Sequence, residues 1–176
     1  VLLESWATNA VPSATDWKAI YVKDAWTGAV EWVSQDSSGR ALPGAEYRSA
    51  ALSNDGRYVL IAGGGETPYS NVVDLRDRTT RRTLRIEYAN ASYGYWASVA
   101  ISADGRYLLY THDTPLYGVI GQMYDRWTGT KYWAPTTFGT EPPAYTVLSP
   151  SGNVIGFEGV DPATGAVHGY VVTRRG

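Results

Sequence analysis

Few residues in this chain have both the type and the spacing to do chemistry. His112-Asp113 is an adjacent acid–base couple that could move a proton or supply two metal ligands. Neighbours in a strand-end loop point apart, however, and no second histidine stands at ligand spacing, because His168 is far along the chain. A solvated or hydrogen-bonded histidine is the competing reading for both. Glu46, Glu66, Glu87, Asp113 and Glu141 would suit a hard cation such as calcium if the fold gathered them, but no Asp-x-Asp-x-Asp-Gly loop supports that. Serine and threonine are common, yet there is no Gly-x-Ser-x-Gly elbow. Gly63-Gly64-Gly65 lacks the Lys-Ser/Thr and the following helix that a phosphate loop needs. Arg76, Arg78, Arg81, Arg82 and Arg85 crowd one stretch. They read as a solvated hairpin tip where charge blocks edge pairing, with an anion patch as the alternative. No catalytic residue, metal ligand or cofactor is assigned on this basis, and calcium stays as an alternative.

The aromatics are more suggestive. Tyr47, Tyr93, Tyr95, Trp96 and Tyr145 stand at or near the starts of apolar runs, with Arg48 beside the first. They could form a stacking platform for a sugar, peptide or aromatic ligand. Packing between sheets is the competing reading and the commoner role of such rings. The candidate binding set is Tyr47, Arg48, Tyr95, Trp96, His112 and Tyr145.

The elements that position these residues are announced by two repeated turns. Ala100-Ile101-Ser102-Ala103-Asp104-Gly105-Arg106-Tyr107-Leu108-Leu109-Tyr110 sets Ser-Ala-Asp-Gly between two strand-like runs. Glycine there accepts the positive φ that a hairpin demands. Residues 51–61 repeat the unit and residues 147–155 repeat it weakly, so the glycines fall at 56, 105 and 152. A period near 48 residues signals a repeat architecture. The second turn, Asp24-Ala25-Trp26-Thr27-Gly28, recurs as Asp125-Arg126-Trp127-Thr128-Gly129 and, degenerate, as Asp77 to Arg81.

Two hairpins per repeat make four strands, A to D, which is the pattern of a β-propeller blade. The Ser-x-Asp-Gly turn joins A to B, and the Asp-x-Trp-Thr-Gly turn joins C to D. Strand A should be innermost, because Ala51 and Ala100 are small where Leu52, Ile101 and Leu148, one step on, are large. No sustained 3.6-residue period predicts helix. The fold class is therefore all-β, of propeller type, with four-stranded antiparallel blades in a single domain over residues 1–176. A partial blade spans 1–34, blades span 35–88 and 89–134, and a second partial blade spans 135–176. The strand order reads BCD, ABCD, ABCD, ABC. Asp161-Pro162-Ala163-Thr164-Gly165 imitates the second turn but is read as a B–C connection. About three and a half blades predict either an arc of a larger ring or an open arc completed through its unpaired ends.

Ile20-Tyr21-Val22-Lys23-Asp24 through Gly28, residues 51–61, and the opening Val1 to Asn9 resemble the bacterial WD-like propeller repeats of the TolB-like group. The resemblance implies a periplasmic or extracellular binding scaffold. Related propellers include calcium-dependent hydrolases. The turn motifs that carry the likeness specify fold more than activity.

Composition narrows the partners. A net charge of −2 gives no broad electrostatic case for nucleic acid or an anionic membrane surface. No apolar run is long enough to span a bilayer as a helix, and the absence of cysteine excludes disulfides and thiolate metal sites. The A–B and C–D turns fall on one face. The B–C connections (6–18, 63–70, 112–117) and D–A connections (36–47, 87–95, 135–143) fall on the other and vary in length. Loop variation concentrated on one face marks it as the binding face. The leading expectation is a non-catalytic scaffold that binds protein, peptide or glycan there. The rivals are a fragment of a calcium-dependent propeller hydrolase or lyase, with channel-facing carboxylates, and the regulatory propeller of a larger enzyme.

Overall fold

The computed structural model describes residues 1–5, 19–42, 47–64, 70–90, 96–114, 118–134, 146–160 and 164–173. Four antiparallel sheets follow one another along the chain, and no helix occurs among the described residues. Sheet 1 holds β1 (Leu2–Ser5), β2 (Ala19–Lys23) and β3 (Val30–Trp32). Sheet 2 holds β4 (Tyr47–Leu52), β5 (Tyr58–Gly64), β6 (Ser70–Asp77) and β7 (Arg82–Asn90). Sheet 3 holds β8 (Trp96–Ile101), β9 (Tyr107–Thr114), β10 (Gly118–Asp125) and β11 (Thr130–Ala134). Sheet 4 holds β12 (Thr146–Leu148), β13 (Val154–Val160) and β14 (Val167–Thr173). This is the order BCD, ABCD, ABCD, ABC. Gly165, at φ 69°, closes the connection from β13 to β14, a B–C connection.

Strand alternation sends one set of side chains to each neighbouring sheet. Ile20 and Val22 of sheet 1 meet Tyr47, Val59 and Ile61 of sheet 2. Leu60, Ala62, Val73 and Leu75 meet Val99, Leu108 and Tyr110 of sheet 3. Tyr107, Leu109 and Met123 meet Ile155 and Phe157 of sheet 4. The core is thus three apolar seams between sheets. The first strands pack on one another, β4 on β8 and β8 on β12, which puts strand A at the common centre.

The turns explain why these sheets stack at a fixed angle. In each A–B turn a serine hydroxyl accepts the N–H five residues on (Tyr58 to Ser53, 2.9 Å; Tyr107 to Ser102, 2.8 Å; Val154 to Ser149, 3.0 Å). The next glycine, Gly56, Gly105 or Gly152, sits near φ 72°. Arg57 then clamps Asp77 with two bonds, Nε to Oδ1 at 3.1 Å and Nη2 to Oδ2 at 2.8 Å. Arg106 clamps Asp125 identically, at 3.0 and 2.7 Å. From the C–D side, Arg78 and Arg126 donate Nη1 to the carbonyls of Gly56 and Gly105. The two turns of a sheet are therefore tied to each other by paired, charge-assisted bonds.

A second device ties sheet to sheet. The ring of Tyr58 lies against Gly105 so closely that a Cβ there would stand 2.3 Å from Tyr58 Cδ2. Tyr107 lies against Gly152 in the same way, at 2.1 Å. Asn54 N–H donates to the Ala103 carbonyl (3.0 Å), and Ala103 N–H donates to the Pro150 carbonyl (2.9 Å). Pro150 has no N–H to continue the series, and Asn153 and Val154 replace the Arg-Tyr of the earlier turns. On the outward face of sheet 4, Val147 and Val171 are exposed.

Two predictions follow from this geometry. Gly129 has a positive φ but open space around it, whereas Gly105 has both the φ and the tyrosine. Denaturant unfolding should therefore show Gly105→Ala costing about 2–4 kcal/mol and Gly129→Ala only about 1 kcal/mol; equal costs would remove the packing role of the glycine. The arginine clamps hold Asp77 and Asp125 down at about 2. Unfolding returns both to the ordinary range near 4, so the unfolded chain binds more protons between those values. This stabilisation is complete above about pH 4 and drains as pH falls toward 2. Asp125→Asn should lose about 1–3 kcal/mol at neutral pH and flatten that acid limb, as read by urea unfolding across pH.

Candidate functional site

The variable face is entered at the first residues of β4, β8 and β12. Two of these strands begin irregularly in the same place. In β4 the register steps from Tyr47↔Gly63 to Ser49↔Ala62, leaving Arg48 as the extra residue. In β8 it steps from Trp96↔His112 to Ser98↔Thr111, leaving Ala97 as the extra residue. A bulge bends its strand and re-aims the flanking side chains, and bulges recur beside binding sites. The pairing also makes Trp96 and His112 direct cross-strand partners, although they are distant in sequence.

Below the bulges runs a row of hydroxyls, half-buried at Ser49 and buried at Ser98, Thr111 and Thr146. Ser49 Oγ accepts Val99 N–H at 3.2 Å. Ser98 Oγ and Thr146 Oγ1 share a bond at 2.6 Å, and Ser98 N–H donates to Thr111 Oγ1 at 3.1 Å. These bonds link the inner strands of sheets 2, 3 and 4 beneath the mouth. They satisfy polar groups that would otherwise be costly at such burial.

Of the candidate binding residues, Tyr47 is the one whose side chain is described. It is 4% exposed, packs in the seam between sheets 1 and 2, and donates its hydroxyl to the Leu42 carbonyl at 3.1 Å. Burial raises its phenol well above the ordinary value, so it stays protonated. Tyr47 is thus a support under the face, not an open ring upon it. Arg48, Trp96 and His112 are placed by their backbone positions in β4, β8 and β9. Tyr93, Tyr95 and Tyr145 lie outside the described residues, as do Glu46, Glu66 and Glu141. Glu87 sits in the outer strand β7, where it pairs with Lys131 of β11 and accepts from Tyr110 at 3.5 Å. It serves the rim between sheets 2 and 3. His168 is exposed in β14, edge-on to Tyr170 at 6.3 Å. Among the described residues no three His, Asp or Glu side chains gather as a metal site.

The arginine stretch departs from the sequence expectation. Arg76 is not a solvated tip; it is 2% exposed, between sheets 1 and 2. Its Nη1 donates to the carbonyls of Asp36 (3.1 Å) and Arg81 (2.8 Å) and to Thr83 Oγ1 (3.1 Å). Asp74, two residues earlier and also buried, receives Arg85 Nε at 2.6 Å. Burial raises the Asp74 carboxyl, with Arg85 opposing the shift. The D–A connection after β3 also runs unexpectedly. Its tight turn over 36–40 docks on β7, where Ser37 Oγ accepts Thr83 N–H at 2.9 Å. That stretch lies against the second sheet's C–D hairpin, not on the variable face.

No protein-family model and no curated protein matches the chain. Solved structures do. TolB from Acinetobacter baumannii aligns with a TM-score of 0.58 at 22% identity, over 98% of this chain and 43% of that one. A putative TolB from Agrobacterium tumefaciens aligns at 0.62 and 14%, over 92% of this chain and 55% of that one. An oligogalacturonate lyase in complex with manganese aligns at 0.62 and 11%, over 92% and 42%. The chain spans about half the length of these structures or less, and the likeness establishes a TolB-like β-propeller fold.

Tyr47→Phe should lower stability by about 1 kcal/mol by orphaning the Leu42 carbonyl. The far-UV spectrum should stay unchanged; a Tyr47→Phe protein as stable as the parent would show that the bond contributes nothing.

Proposed function

We propose that this TolB-like propeller arc is a non-catalytic binding or scaffold module. Its protein, peptide or glycan ligand meets the face carrying the B–C and D–A connections. The observation that supports this is how fully the opposite face is committed to holding the fold. There Arg57, Arg78, Arg106 and Arg126 are bonded to Asp77, Glu31 and Asp125 or to turn carbonyls, and Gly105 and Gly152 lie under tyrosines. Recognition chemistry is left to the opposite face, where the bulges at Arg48 and Ala97 interrupt regular pairing.

Trp96 is the anchor of this reading, since it begins the inner strand of sheet 3 opposite His112. Aromatic anchors carry a large share of binding energy at such mouths. Peptide and glycan arrays probed with the intact chain should yield a saturable ligand. Trp96→Ala should weaken it at least about tenfold while the melting temperature holds. Unchanged affinity would remove Trp96 and the face it marks. A calcium- or manganese-dependent rise in melting temperature would favour the hydrolase or lyase reading instead, because a metal bound only to the folded state stabilises it by mass action.

A further inference from the structure

Between sheets 1 and 2, on the rim and away from the variable face, lies a pocket of about 420 Å³. Its walls are Glu31 and Trp32 of β3, Gln35 and the turn Ser37–Gly39, and Arg76 and Arg81 of the second sheet. That volume falls in the range that takes small molecules. We propose that this pocket binds a small organic monocarboxylate between the guanidinium groups of Arg76 and Arg81.

Two independent observations point to a ligand. First, Arg76 is buried with its Nε lacking any partner, although Nη1 is engaged several times over. A buried donor left unpaired is costly, and since Nε itself exposes almost no surface, a small turn of the guanidinium toward a carboxylate in the pocket would relieve it. Second, Arg81 holds φ at 57°, the position that Gly28 and Gly129 fill at 74° and 72° in the sister turns. A non-glycine residue there is strained by about 1 kcal/mol, and such strain concentrates at functional sites. Arg76 likewise breaks the repeat, since Lys23 and Tyr124 stand at its equivalent positions. The departures from the repeat thus converge on one pocket.

Charge favours an anion. Arg57 is matched by Asp77, and Arg78 is matched by Glu31 at 2.8 Å. Asp36 stays ionised, because Ser38 and the Arg40 amide hold its carboxyl below the ordinary range. Arg40 faces Asp36 in turn, so Arg76 and Arg81 leave the pocket net positive, which favours an anion. Glu31 adds acceptor capacity for a ligand hydroxyl or amide N–H, and Trp32 adds an apolar wall.

The test is an NMR titration of the intact chain. The probes are D-glucuronate, with D-glucose as its neutral counterpart, and N-acetyl-diglycine, with its C-terminal amide as neutral counterpart; inorganic phosphate is the third arm. The expected result is saturable shifts at the Arg76 Nε–H and the Ser38, Gly39 and Arg81 amides, with a Kd of about 1 mM for at least one carboxylate. The responding probe tells a sugar acid from a peptide terminus, and the neutral counterparts should be silent. Arg81→Gly should weaken binding at least about tenfold while the melting temperature holds or rises, because glycine relaxes the turn. Four outcomes would each overturn the proposal: no saturable shift with either carboxylate, neutral counterparts binding equally, phosphate alone binding, or undiminished binding in Arg81→Gly.

Discussion

The structure depends on one contact that a side chain as small as a methyl group would abolish. Gly105 and Gly152 let the aromatic rings of Tyr58 and Tyr107 lie directly on the backbone of the following sheet. The same glycines provide the left-handed turn that brings each B strand back beside its A strand. One residue type therefore sets both the hairpin within a sheet and the distance between sheets. The arginine clamps reinforce this, since Arg106 ties its turn to Asp125 while stacking 4.4 Å from the Trp127 ring and 4.7 Å from the Tyr107 ring. Arg126 reaches further and covers the Tyr58 ring of the preceding sheet at 4.2 Å. Turn chemistry, inter-sheet spacing and surface charge are one connected network on that side.

This concentration explains how much of the fold was legible. Ser-x-Asp-Gly-Arg-Tyr is a local pattern, and a turn of this kind is written within a few residues, so strand order could be read from its spacing. The single B–C connection of the last sheet was also legible, because Gly152 and Gly165 lie too close for a second full hairpin. The site was less so. Tyr47 has the composition of a ligand platform and the environment of a core ring, and only the neighbouring sheet decides between them. The bulges at Arg48 and Ala97 leave no local mark, because a register step is a property of two strands.

Arg76 shows the same limit from the opposite side. Five arginines in ten residues read as a solvated tip, since charge is seldom buried. Strand alternation instead turns Arg76 toward sheet 1, where Gln35 and Asp36 of the returning D–A connection supply carbonyls to receive it. A signal was present in the repeat itself: Arg81 occupies the place of a glycine, and positions that break a repeat at a local cost are where function is to be sought.

The hydrogen bonds between A–B turns give the arc a direction. Asn54 donates to the next turn, Ala103 donates to the one after, and each turn is thus donor to its successor. Pro150 receives and, as an imino acid, has nothing to hand on. The relay is chemically quenched at the third turn. The far side of that sheet offers aliphatic surface, Val147 and Val171, so contact there would draw on dehydration of those side chains and not on the polar zipper that joins the three turns.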